Sequence, residues 1–195
     1  PNVCMTYLGD GAVNQGQVYE SFNMAALWSL PVVFVIENNQ YGMGTKVTRA
    51  AAGLALADRG MAYGIPGKQV DGMDVLAVRT AALEALAHCR DGNGPYILEM
   101  KTYRYRGHSM SDPAKYRTRE EVDAMRKQHD PIDQIRELLK NQHVDDSRLK
   151  EIDSAVKATV TKATEFAQTS PEPDPSELFT DILLPLTDNK LVAKV

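Results

Sequence analysis

Two short signatures, Gly9-Asp10-Gly11 and Glu37-Asn38-Asn39-Gln40-Tyr41-Gly42, each end an apolar segment. They are separated by roughly 30 residues, the length of one strand–helix–strand unit. Val3-Cys4-Met5-Thr6-Tyr7-Leu8, before Asp10, is strand-like. Val32-Val33-Phe34-Val35-Ile36, before Asn38, is uninterrupted and mostly β-branched, which reads as a strand of a parallel sheet buried on both faces. A helix is expected between them, from about Gln15 to Ser29. Parallel strands joined by a crossover release both carboxyl ends on one sheet edge, where ligands bind in open α/β folds. Asp10 and Asn39 are therefore predicted to meet at one site.

The donor types say what such a site holds. One carboxylate and one amide oxygen, with no Cys or His nearby, suit Mg²⁺ or Ca²⁺ rather than zinc. Two side chains cannot complete an octahedral shell, and Mg²⁺ commonly completes it with waters, main-chain carbonyls and phosphate oxygens. Gly9 and Gly11 allow close backbone approach, and the start of the following helix favours a phosphate. The local reading is a magnesium–diphosphate site. A lone Gly-Asp-Gly is usually a turn and a tandem Asn-Asn a strand end. The two together, each after a strand with a helix between, make the bland reading improbable.

At this length the match becomes specific. Gly9 to Gln17, Asn23-Met24-Ala25-Ala26-Leu27-Trp28 and Glu37 to Thr45 resemble the alpha subunits of two-subunit, thiamine-diphosphate-dependent 2-oxo acid dehydrogenases, most narrowly those of the pyruvate dehydrogenase component. Val70 to Val75, Thr102 to Pro113 and Tyr116 to Glu121 continue the resemblance, which covers the chain to about residue 175. It implies an α/β fold, a parallel sheet with helices on both faces, followed by a helical C-terminal region. It also implies thiamine diphosphate and Mg²⁺ as cofactors, with the metal on Asp10, Asn39 and the Tyr41 carbonyl. Gly11, Ala12 and His108 join these as cofactor-binding positions, and His108 is the one catalytic candidate. The implied chemistry is oxidative decarboxylation of pyruvate, with acetyl transfer to a lipoyl group on a partner dihydrolipoamide acetyltransferase. The implied assembly is an α2β2 heterotetramer in which the beta subunit supplies the activating glutamate, so this chain alone is expected to be inactive. Acetoin and branched-chain 2-oxo acid dehydrogenase alpha subunits are the alternatives, and a non-catalytic scaffold is a third. The paired Asp10 and Asn39 argue against a scaffold. Family members also carry a further N-terminal half, so Pro1 opening almost directly into a core strand suggests the C-terminal portion of a subunit.

Composition agrees with an ordinary globular domain, with 43% hydrophobic and 25% charged residues. A net charge of −4 gives no reason to expect a nucleic acid or a membrane surface as partner. No window approaches the ~18 apolar residues of a membrane span. Cys4 and Cys89, isolated in a predicted strand and a predicted helix, suggest buried thiols in a reducing compartment. A bacterial cytoplasm is the expected location, with a mitochondrial matrix as the alternative.

Three segments are expected: a cofactor-binding α/β domain over 1–115, a helical region over 116–170, and a linker and tail over 171–195. In the first, Gly42 to Gly67 looks irregular with a short helix near 53–63. A strand is predicted at Lys68–Val70, a helix from about Asp74 to Arg90 and a strand at Tyr96–Met100. Thr118 with Glu121 forms a capping box, and Asp130-Pro131 opens another helix. Leu149, Ile152, Val156, Val160, Ala163 and Phe166 mark one long amphipathic helix. Trp28, on the crossover helix, is expected to pack in the core.

Arg104, Arg106 and His108 follow a strand and so emerge on the same edge as Asp10. On composition alone they make a solvated basic loop. The resemblance instead puts His108 at the cofactor mouth, and Ser109 at a position that mitochondrial relatives phosphorylate. Lys115, where those relatives have a second phosphorylatable serine, and Gly53, in the region of a third, favour a bacterial type. Ser111 and Asp112 are expected to hold the loop through local hydrogen bonds.

Overall fold

The computed structural model describes residues 2–53 and 55–180, and the tail over 181–195 lies outside them. The chain divides into two compact units, one running to Ile135 and one beginning at Arg136.

The first unit is built on β1 (Cys4–Gly9), α1 (Gly16–Leu27) and β2 (Val32–Asn38). The helix begins after a short 3-10 turn at Ala12–Asn14 and ends two residues before the expected Ser29. Ser29 takes φ 48°, and the Leu30 amide returns to the Ala25 carbonyl at 2.9 Å, the closing pattern of a left-handed helix cap. A two-residue hairpin, β3 (Tyr41–Gly42) with β4 (Thr45–Lys46), leads into one helical turn, α2 (Val47–Ala50), and a 3-10 helix at Leu56–Tyr63. β5 (Gly67–Asp71), α3 (Val75–Arg90) and β6 (Tyr96–Lys101) follow, with the Asp74 carboxylate accepting from the Leu76 and Ala77 amides to cap α3.

The four long strands form one parallel sheet in the order β1-β2-β6-β5. Alternate residues of β2 face opposite layers. Phe34 and Ile36 pack with Val18, Phe22 and Ala25 of α1, and Val33 and Val35 pack with Ala81, Ala85 and Cys89 of α3. Phe22 meets Phe34 edge-on with ring centroids 4.8 Å apart. Helices thus cover both faces, as predicted.

Two expectations fail at the margin of this core. β1 is an edge strand, so Cys4 is exposed rather than buried. Trp28 falls on the helix cap, beyond the stripe that faces the sheet, and is 48% exposed rather than packed in the core.

α4 (Arg119–His129) starts at Thr118, whose hydroxyl accepts from the Glu121 amide at 3.2 Å. α5 (Pro131–Asn141) starts with the Asp130 carboxylate accepting from the Ile132 amide at 2.9 Å. The second unit contains α6 (Asp146–Thr169), whose Asp153 forms an ion pair with Arg136 of α5 at 2.9 Å. Leu149 is buried on α6, while Ile152, Val156, Val160 and Phe166 are exposed. No helix among the described residues is long and apolar enough to cross a membrane.

Candidate functional site

The β1–β2 ladder runs through Gly9 opposite Glu37, so the chains beyond it leave the same edge of the sheet side by side. Asp10 is the first residue past β1 and is 2% exposed. Asn39 is the first past β2. The two loops then touch. A Cβ built on Gly42 would lie 3.2 Å from the Gly11 α-carbon and 3.5 Å from the Gly11 nitrogen. No side chain separates the two backbones, which leaves a cradle of main-chain atoms beside a buried carboxylate. Ala12 follows in the 3-10 turn, with Val13 fully buried beneath it.

The turn after β2 is pinned from below. Asn38, 2% exposed, donates through Nδ2 to Glu99 Oε1 at 2.7 Å. Its Oδ1 accepts from the Gln40 main-chain and side-chain nitrogens at 3.3 and 3.2 Å. Gln40 adopts φ 77°, a conformation that residues with a Cβ rarely take. Asn39 Oδ1 accepts from the Tyr41 amide at 3.3 Å, and the Tyr41 ring is buried against Tyr103 and Tyr116.

Burial raises the pKa of Asp10 above the ordinary carboxylate value, offset in part by its own main-chain amide and by the charge of Arg104. Among the described residues no basic side chain forms an ion pair with it. A desolvated carboxylate without an ion-pair partner, an amide oxygen in a single long hydrogen bond and a nearby carbonyl make an all-oxygen donor set. That set fits a hard divalent cation whose shell is completed by ligand phosphate and water. No group of three or more His, Cys, Asp or Glu side chains that could hold a metal occurs among the described residues.

The loop after β6 is more structured than a solvated basic segment. Arg104 donates to the Tyr41 carbonyl at 2.9 Å, the Met43 carbonyl at 2.6 Å and the Tyr116 hydroxyl at 2.9 Å. The Tyr41 carbonyl, expected on the metal, thus already has a guanidinium partner, although a carbonyl has two lone pairs and one stays open. Arg117 donates to the carbonyls of Arg104 and Arg106, and its guanidinium carbon lies 5.2 Å from the centre of the Tyr103 ring. Glu121 does not close the reciprocal half of the capping box. Its carboxylate accepts instead from the hydroxyls of Tyr103 at 2.7 Å and Tyr41 at 3.2 Å. Burial, reinforced by that bond, pushes the Tyr103 phenol up to about 12.

Asp112 organises the loop tip by accepting from the His108 amide at 2.7 Å, the Ala114 amide at 2.8 Å and the Tyr116 hydroxyl at 2.8 Å. The His108 bond is the foremost of the three in holding the Asp112 carboxyl below its usual range. The Ser109 and Ser111 hydroxyls are 3.1 Å apart. His108 is exposed, and among the described residues its imidazole has no hydrogen-bond partner. Asp10, Gly11, Asn39 and Tyr41 are therefore gathered by the sheet edge, whereas His108 is held through its backbone alone. Arg104, Glu99 and Glu121 were not among the expected site residues, and the strand-end position of Arg104 was the only signal that pointed to any of them.

A parallel α/β sheet with an oxygen-lined cradle at its carboxyl edge is the architecture of an open α/β ligand-binding domain, and comparison with known proteins narrows the class. Residues 1–176 match the model of the dehydrogenase E1 component. The chain is 61% identical over 184 residues to the pyruvate dehydrogenase E1 component subunit alpha of Rhizobium meliloti, a match covering 94% of this chain and 53% of that protein. The corresponding protein of Zymomonas mobilis is 56% identical over 178 residues, covering 91% and 50%. A mitochondrial subunit alpha from Dictyostelium discoideum is 52% identical over 185 residues, covering 94% and 48%. The chain spans about half the length of the curated relatives it matches. This chain belongs to the dehydrogenase E1 component family.

Proposed function

We propose that this chain is the cofactor-gripping portion of a pyruvate dehydrogenase alpha subunit, dependent on thiamine diphosphate and Mg²⁺. The observation that carries the reading is the contact of Gly11 with Gly42, which brings the Asp10 and Asn39 loops together around a buried carboxylate. Support for pyruvate comes from the names of relatives as much as 61% identical.

In this reading Asp10, Asn39 and the open lone pair of the Tyr41 carbonyl hold Mg²⁺. Gly11 and Ala12 let main-chain amides approach the diphosphate, and Arg104 keeps the Tyr41 turn in place. His108 donates a hydrogen bond at the mouth of the site through a ring N–H. Thiamine diphosphate, when bound, supplies the electron sink for decarboxylation. The assembly is an α2β2 heterotetramer, with the acetyl group passed to a lipoyl-bearing acetyltransferase, in a bacterial cytoplasm.

The test is co-expression with the beta partner, followed by decarboxylation assays on pyruvate, acetoin and branched 2-oxo acids, with Mg²⁺ dependence measured. Turnover of pyruvate well above the others is expected. Preference for acetoin or a branched substrate overturns the substrate assignment. Tight thiamine diphosphate binding without Mg²⁺ overturns the metal site.

A further inference from the structure

Glu99 lies between Leu98 and Met100 in β6, fully buried, and opposite Ile36 on β2 and Gln69 on β5. A carboxylate in such a place is costly unless every oxygen is hydrogen-bonded. Here Oε1 accepts from Asn38 Nδ2 at 2.7 Å, and Oε2 accepts from the Ala57 amide and from Gln69 Nε2, each at 3.0 Å. All three donors are amides, and no cation among the described residues pairs with Glu99.

The consequence lies at Asn38. Both Glu99 oxygens accept from amide N–H groups, so the Asn38 amide is oriented with nitrogen toward Glu99 and oxygen toward the turn. That oxygen accepts from the Gln40 amide and closes the tight turn that holds Gln40 at its positive φ. We infer that Glu99 is the positioning residue of the metal turn: through Asn38 it sets the conformation that carries Asn39 and Tyr41 to the Asp10 loop. This rests on the reading of Asp10 and Asn39 as Mg²⁺ ligands. A glutamine at 99 would turn one acceptor into a donor facing other donors, and would leave Asn38 free to reverse.

The experiment uses Glu99→Gln and Asn38→Ala, singly and together, in the subunit assembled with its beta partner. Calorimetry gives the affinity for Mg²⁺–thiamine diphosphate, and melting without cofactor gives stability. Kinetics separate kcat at saturating cofactor from the KM for pyruvate. Each single variant should bind cofactor about tenfold more weakly, as for other residues that orient metal ligands. The double variant should lose no more than either single one, with kcat largely restored at saturating cofactor and the KM for pyruvate unchanged. Unaltered cofactor affinity in Glu99→Gln with a lowered melting temperature would reduce Glu99 to a packing role and overturn the inference, as would additive losses in the double variant. If Glu99→Gln does not assemble, Asn38→Ala alone decides: weakened binding supports the inference and unchanged binding overturns it. Asp10→Ala separates the two levels. Wild-type cofactor binding by that variant removes the site itself, whereas its loss beside an unaffected Glu99→Gln removes only the positioning role.

Discussion

The Arg104 guanidinium donates to the main-chain carbonyl of Tyr41 at 2.9 Å and so joins the loop after β6 to the turn after β2, 63 positions away in the chain. With its bonds to Met43 and Tyr116, it clamps the two loops in a planar fork that lysine cannot reproduce. Arg104→Lys should weaken this clamp by about 1.5–3 kcal/mol, the usual worth of a hydrogen bond to a charged group. The measurement is limited proteolysis after Arg106 and Lys115, expected to run on the order of tenfold faster than in the parent. Equal cleavage rates would show that the fork does not hold the loop.

Cofactor should order the tip of that loop more than its base. Tyr103, Arg104, Tyr116 and Arg117 are already bonded to one another or to neighbouring strands and helices, whereas His108 to Ser111 is exposed. Amide exchange over residues 107–111 should slow on adding Mg²⁺–thiamine diphosphate, with little change at Tyr103. Uniform protection across 103–117 would contradict this.

Ser109 sits beside His108 at the exposed tip, with its hydroxyl 3.1 Å from that of Ser111. Ser109→Glu would set a carboxylate near a bound diphosphate, and repulsion of about 1.4 kcal/mol, a modest Coulomb energy at short range, would lower activity about tenfold. Ser111→Ala loses one exposed hydroxyl contact and should leave activity near the parent value. A comparison of kcat/KM for the two variants decides, and equal losses would refute it.

Asp10 sets stability against binding. Its folded-state pKa is raised by burial, so the protonated form favours folding. That contribution is fully present below the ordinary value of 3.8 and is lost as pH rises through the raised folded value. At neutral pH the apo protein therefore carries a buried, desolvated charge. Asp10→Asn should melt higher than the parent without cofactor, yet fail to bind Mg²⁺. In the parent, Mg²⁺ affinity should fall on acidification, starting above the ordinary carboxylate range. Melting curves and metal titrations over acid to neutral pH test both parts.

Tyr103 gives a second pH signature of the same sign, in the alkaline range. A phenol with folded pKa near 12, against an ordinary 10.0, contributes stability that is complete below 10 and vanishes as pH rises through about 12. Glu121→Gln removes the charge that reinforces this shift, so tyrosinate absorbance should appear at lower pH in that variant. An unchanged titration would mean that burial alone sets it.

The strand–helix–strand unit could be read from the chain because its signals are local: a β-branched run, a fixed gap and glycines at the strand end. The Thr118 cap was readable for the same reason. Its partner Glu121 was not, because the carboxylate goes to Tyr41, 80 positions away, once tertiary packing offers a buried phenol. Glu99 was hidden in another manner. A glutamate within a strand ordinarily marks a solvent-facing position, and only the pairing of β2 with β6 sets it beside Asn38. Trp28 and Cys4 were misjudged because residue type predicts burial only where another layer covers the position, and at both the cover among the described residues is incomplete.

The contact between Gly11 and Gly42 makes the candidate site vulnerable to addition rather than removal. One methyl group on Gly42 would press on the Gly11 backbone at 3.2 Å, tighter than side chains normally pack. In a saturation screen Gly42 should sort substitutions by size rather than by charge or polarity, whereas Gly11, where an added Cβ would make only an ordinary 3.4 Å contact, should accept alanine more readily. At Asp10 and Asn39 the order should follow oxygen chemistry instead. Adjacent residues of one loop would then obey different rules of tolerance, and that contrast would trace the cradle's outline in living cells without a ligand being seen.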